Sequence, residues 1–91
     1  MIYVFFLLDN ANSVHIRQQF RASHKDYIGK VADRISFAGP LLGDDGETRM
    51  GSLLAIDFPD REAAKRWLKD EPYTREGLFA GVHIHAFQDL W

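Results

Sequence analysis

The chain contains four histidines, thirteen acidic residues and no cysteine. Thiol nucleophiles, disulfides and zinc–thiolate centres are therefore excluded, and proton-transfer chemistry falls to imidazole and carboxylate. The histidine placed to do it is His24, in Phe20-Arg21-Ala22-Ser23-His24-Lys25-Asp26-Tyr27. Over residues 13–31 the apolar Ile16, Phe20, Tyr27, Ile28 and Val31 recur at three- and four-residue intervals, as on one buried helical face. At about 100° per residue, His24 falls between Phe20 and Ile28 on that stripe, with Arg17, Arg21 and Lys25 assigned to the polar side. A histidine there is ordinarily a packed core residue that needs a hydrogen-bond partner. It becomes a general base when a carboxylate fixes its tautomer and stabilises the imidazolium.

The candidate carboxylates are Asp70 and Glu71. They stand at the C-terminal end of a second expected helix, where the negative end of the dipole disfavours acids unless a cation compensates. His24, Lys69 and Arg75 are the cations available. Glu71 also has a purely structural role open to it, as N-cap of a turn beginning at Pro72. Glutamate caps less well than aspartate, which tilts the position toward chemistry. Three weaker constellations remain. His83-x-His85 on an alternating strand puts two rings on one face, a chelating spacing without an evident third ligand, so no metal site is expected. Asp44-Asp45-Gly46-Glu47 lacks the ligand spacing of a calcium loop and reads as a solvated hairpin connection. Ser52, after Gly51, has no base paired to it and suits a strand-end or pocket-lining hydroxyl better than a nucleophile. There is no Gly-rich phosphate loop, nucleophile elbow or His-Glu-x-x-His motif.

The elements that must hold these residues follow from pattern. Residues 2–8 are apolar on both alternating faces and read as a fully buried strand ending at Asp9-Asn10. Ser13 is the expected N-cap of the first helix, which fades by Asp33. Residues 35–38 begin a second strand that Gly39-Pro40 bends or ends. Residues 42–51 form an acidic loop, and residues 52–58 the returning strand. Asp60 caps a helix over Arg61–Lys69 that buries Ala64, Trp67 and Leu68, and Pro72 stops it. Pro72 to Gly77 is one short helical turn, and residues 82–87 the last strand. Strand, helix, strand, strand, helix, strand is the split βαβ, ferredoxin-like α+β order, with a four-stranded antiparallel sheet and two helices on one face. The uncovered face is apolar as well, which predicts a homodimer with two sheets packed face to face.

Ninety-one residues make a single domain, and 46% hydrophobic residues suffice for a core. A formal charge of −2 gives no electrostatic footprint for nucleic acid or an anionic membrane. The apolar opening is too short for a signal or membrane segment, so a cytoplasmic protein is expected.

The same residues, in order, resemble the YciI-like (YCII-related) family of the dimeric α+β barrel superfamily, which also includes muconolactone isomerases. The matching features are His24 with Tyr27, Ala38-Gly39-Pro40-Leu41, Asp44-Asp45-Gly46, Gly51-Ser52-Leu53, Glu62-Ala63-Ala64 with Trp67, Pro72-Tyr73 with Gly77-Leu78-Phe79, and a closing strand through Phe87. The resemblance implies a dimer with a pocket near the helix histidine and a histidine–aspartate pair as its chemistry. The histidine maps to His24. The aspartate ordinarily stands directly before Pro-Tyr, a position held here by Glu71, whose extra methylene changes its reach; Asp70 is the second choice. One relative of the family removes chloride from a chlorinated aromatic metabolite. The expected function is a cofactor-independent enzyme performing lyase- or isomerase-type acid/base chemistry on a small polar or aromatic metabolite. His24 would move the proton and Glu71 or Asp70 orient it, Gly39 and Pro40 would shape the wall, and Ser52, Tyr73 and Tyr27 would contact substrate. The other reading is a non-catalytic dimeric module that binds a small ligand or a partner.

Overall fold

β1 (Ile2–Asp9) is the strand around which the sheet is built. A computed structural model describes residues 1–91. It pairs β1 antiparallel with β3 (Arg49–Asp57) on one side and with β4 (Phe79–Phe87) on the other. β2 (Ile35–Leu42) lies at the edge beyond β3, giving the order β2-β3-β1-β4. A central strand has both of its hydrogen-bonding edges paired, while its two faces depend on what packs above and below the sheet.

Side chains alternate across β1. Tyr3, Phe5 and Leu7 point to the side covered by α1 (Val14–Gly29) and α2 (Arg61–Lys69), and are buried. They pack with Leu54, Ile56 and Ile84 of the sheet and with Ala64 and Leu68 of α2. Trp67 joins this core with its ring 5.4 Å from Phe5, 5.4 Å from Tyr27 and 5.7 Å from Phe58. Burying Phe5 completely contributes roughly 1.5–3 kcal/mol. Asp60 caps α2 by accepting the Ala63 N–H at 2.8 Å.

The opposite face carries Val4, Phe6, Leu8, Phe37 and Phe87, with His83 beside Phe6 and His85 beside Val4. No helix covers it, and Phe6, Leu8, Phe37 and Phe87 are each about two-fifths exposed (39–43%). Phe37 and Phe87, from the two edge strands, meet edge-to-face at 6.5 Å above Ala55, which is fully buried. None of the helices is long and apolar enough to cross a membrane.

Several sequence-derived boundaries move. β2 does not stop at Gly39-Pro40 but runs through both to Leu42, with Gly39 opposite Leu53 and Pro40 opposite Ser52. An edge strand tolerates proline because its missing N–H faces outward. β3 begins at Arg49 rather than Ser52, and β4 at Phe79 rather than Val82, so the acidic connection shrinks to residues 43–48. α1 ends at Gly29, a poor helix former, and the chain passes through Val31 (φ −115°) into a 3₁₀ turn at Ala32–Arg34. Val31 is still buried, but from outside the helix. Ser13 stands at the N-cap of α1 as expected, but its side chain makes no capping bond; the hydroxyl donates to the Asn10 carbonyl at 2.6 Å.

Candidate active site

Arg17, Arg21, His24 and Ile28 lie within about 60° of one another around α1. Arg17 is therefore not on the solvent side with Lys25, as its residue type suggested, but buried. Its Nε and Nη2 donate to the two carboxylate oxygens of Asp9, at 2.7 and 2.9 Å. Nη2 also reaches the Gly51 carbonyl at 3.0 Å and the Ser52 hydroxyl at 3.2 Å. This guanidinium ties α1 to β1 and β3. A side chain at Gly51 would meet the Leu7 carbonyl oxygen at 2.0 Å, so only glycine fits there.

Two turns further along α1, His24 Nδ1 lies 2.5 Å from Glu71 Oε1. Glu71 is 1% exposed and precedes the short α3 (Pro72–Arg75). Its Oε2 accepts the Thr74 N–H at 3.1 Å and the Thr74 hydroxyl at 3.3 Å, so the same carboxylate caps α3 and holds His24. An ionised carboxylate only accepts, so Nδ1 carries the hydrogen and Nε2 has no protein partner. Asp70, by contrast, is the exposed C-cap of α2 and makes neither hydrogen bond nor ion pair with His24. Its charge is felt instead at Tyr27, whose hydroxyl donates to the Trp67 carbonyl at 2.7 Å. Burial, then the charges of Asp70 and Glu71, push the Tyr27 phenol above its ordinary range. Tyr27 thus ties α1 to α2 and lines none of the cavities around His24.

Tyr73 is the wall of the site. Its ring stacks on His24 with centroids 4.0 Å apart and planes 17° from parallel. Arg17 lies over the same ring at 5.3 Å, and the phenol donates to the Arg17 carbonyl at 3.3 Å. α3 fixes this ring, with Pro72 at its first position and Gly77 closing it at φ +78°, a left-handed conformation that favours glycine. Burial pushes the Tyr73 phenol up and Glu71 adds to this, while Arg17, Arg21 and Arg49 pull it down; the net shift is upward.

In front of Tyr73 lies a cavity of about 600 Å³ bounded by Val14, Arg17, Gln18, Arg21, Glu47, Thr48 and Arg49. It adjoins a recess of about 160 Å³ lined by Arg17, Arg21, His24, Lys25, Arg49 and Tyr73. Among the residues expected to serve the site, the structure brings His24, Glu71 and Tyr73 together. Ser52 lies behind Arg17 rather than at the cavity wall. Gly39 and Pro40 lie on the edge strand and border none of these cavities. His83 and His85 stack at 6.4 Å on the other face of the sheet, and no three His, Asp or Glu side chains converge as a ligand set anywhere. Sequence reading missed Arg17, Arg21 and Arg49. The helical arithmetic that selected His24 would have found the first two, since Arg17 sits about 20° from His24 on the wheel.

A ferredoxin-like α+β fold with a histidine–carboxylate pair at the junction of α1 and α3 defines the class. The YCII-related domain matches residues 1–88, and the chain belongs to that family. It is 28% identical to protein YciI of Escherichia coli O6:H1 and 29% identical to an uncharacterised protein of Haemophilus influenzae, each over the full length of both chains. Among solved structures it is similar to 5-chloro-2-hydroxyhydroquinone dehydrochlorinase (TftG) of Burkholderia phenoliruptrix, in complex with 2,5-dihydroxybenzoquinone. That likeness has a TM-score of 0.89 at 24% identity, covering 97% of this chain and 94% of the other.

Proposed function

We propose that this protein is a cofactor-independent acid/base enzyme, of lyase or isomerase type, acting on a small polar or aromatic metabolite. The observation that carries the reading is His24, held at Nδ1 by a buried carboxylate and free at Nε2 beside a cavity. In this arrangement Nε2 is the atom that takes a proton from substrate and returns it, while Glu71 is the positioning residue that fixes the tautomer and stabilises the imidazolium. Tyr73 holds the ring plane from the other side. A histidine base beside a cavity suits proton abstraction next to a carbonyl or phenol, including elimination of a halide from a hydroxylated ring. The dehydrochlorinase named above, of the same fold, supports the choice of that chemistry.

The protein acts as a homodimer in this reading, with the exposed Phe6, Leu8, Phe37 and Phe87 of the open sheet face buried against a second copy. Sedimentation equilibrium reads that directly.

The test of the activity is turnover of a panel of chlorinated and unchlorinated hydroxyquinols and related enolisable rings by wild type and His24→Gln. The expected result is a loss of about 10²–10⁴-fold in kcat for the variant. A substrate turned over equally by both proteins overturns the assignment of His24. Binding of panel members without turnover by either replaces the enzyme with a binding module.

A further inference from the structure

Apart from Lys25, the cations around the cavity are three arginines, and their acids are unequally shared. Asp9 is fully engaged by Arg17. Asp45 is held within its own loop by Thr48 and by the Glu47 and Thr48 backbone. Arg21 and Arg49 form no ion pair and donate no side-chain hydrogen bond to protein, although both line the cavity and the recess. Arg17 spends Nε and Nη2 on Asp9, Gly51 and Ser52, and its Nη1 has no acceptor. The one carboxylate on the cavity wall is Glu47. All three guanidinium groups act on the same phenol, that of Tyr73, which stacks on His24. Two unpaired guanidinium forks and the free nitrogen of a third, lining one concave space, match a planar or tetrahedral oxyanion.

We propose that the substrate is a small organic anion, bearing a carboxylate or a phosphate, whose charged end is held by Arg21, Arg49 and the outer nitrogen of Arg17. The uncharged remainder then reaches across the adjoining recess toward His24 Nε2. The proposal rests on the acid/base reading only for what happens at that far end; the anion subsite stands on the arginines alone. It also gives Arg17 a second role, since the brace that joins α1 to the sheet presents one nitrogen to the ligand.

The experiment is a titration followed by the arginine side-chain N–H and His24 ring resonances, with benzoate, inorganic phosphate and the neutral benzyl alcohol as probes. It uses the full chain of wild type, Arg21→Gln, Arg49→Gln, Glu47→Gln and His24→Gln. Arg21, Arg49 and Glu47 are exposed, so their substitutions leave the core intact. Saturable binding of benzoate or phosphate, weakened at least about tenfold in each arginine variant and tightened in Glu47→Gln, supports the subsite. Which of the two anions binds tighter distinguishes carboxylate from phosphate recognition. Benzyl alcohol binding as well as benzoate overturns the proposal, as does anion binding indifferent to both arginines, or none at all. His24→Gln separates the two claims. Anion binding retained in that variant with turnover lost supports both. Binding retained in a protein whose turnover does not depend on His24 supports the subsite and removes the acid/base assignment.

Discussion

α1 presents two cations to two buried acids, seven residues or about 10 Å apart on one helical face, and the two pairs are built differently. Arg17 meets Asp9 through two parallel bonds and adds two more to β3, with both side chains about nine-tenths buried. An arginine keeps its charge throughout the range in which histidine gains or loses its own. His24 meets Glu71 through one bond, and its cation exists only when protonated. One partner in this second pair also caps a helix, and the other keeps a ring nitrogen free. The first pair fixes where α1 lies on the sheet. The second stands on that fixed helix, so in the acid/base role proposed above the proton would move at His24 without touching the bonds that brace α1.

The comparison breaks most visibly at Arg17. Arg17→Met retains the apolar stem but leaves the Asp9 carboxylate, 9% exposed, without a partner. The expected cost is about 3–5 kcal/mol in denaturant unfolding. Adding Asp9→Asn to the same chain should recover a large part of that loss, because the uncompensated charge is gone. A cost below about 1 kcal/mol would show that Arg17 is not the brace.

Glu71→Gln sharpens the comparison from the other side. The amide oxygen can still accept from Thr74, so the cap survives, while the amide nitrogen turns toward His24. Nδ1 must then accept, and the hydrogen moves to Nε2. Ring nitrogen chemical shifts should report that reversal of tautomer, with a stability change of about 1 kcal/mol. The variant should lose activity by a factor comparable to His24→Gln while keeping its fold. A ring whose tautomer is indifferent to Glu71→Gln would mean that the carboxylate is a cap and nothing more.

The element order and both long helices were legible because periodicity and apolar runs report directly on local structure. Residues 2–8 read as a strand apolar on both faces, and α2 carried its cap in Asp60 and its stop in Pro72. The Glu71 position was ambiguous between cap and partner because a sequence offers each residue one role at a time; the two oxygens of one carboxylate fill both. Arg17 was misplaced for a different reason. An arginine on an apolar stripe is normally discounted as solvent-facing, and the acid that allows its burial, Asp9, lies on another element at the end of β1. Arg49 was hidden inside a stretch read as loop, because β3 starts before its apolar run does. Gly39-Pro40 looked like a bend or a strand end because the outward-facing edge that tolerates proline is a property of the sheet, not of the strand.

Asp45 supplies the mildest contrast with the two helix pairs, since it is an anion held by hydrogen bonds alone. Its carboxylate accepts the Glu47 and Thr48 N–H groups at 2.9 Å each and the Thr48 hydroxyl at 2.5 Å, without any cation. These bonds lower its pKa from an ordinary 3.8 to about 2, the Thr48 hydroxyl contributing most. A depressed carboxylate stabilises the fold above its unfolded value, so this contribution is complete above about pH 4 and fades as pH falls through about 2. Asp45 is fully exposed, and global stability should hardly register the change. The loop should register it, because residues 43–48 lead into Arg49 at the cavity wall. Carboxyl carbon shifts should place the Asp45 midpoint near 2, and Thr48→Val should move it upward, toward 3.8. In Asp45→Asn the amide oxygen replaces one acceptor of two, so the loop loosens and anion binding at Arg49 weakens by a factor of about two to three, well short of removing the arginine itself. An unchanged midpoint in Thr48→Val would show that the loop is ordered by its backbone turn rather than by this side chain.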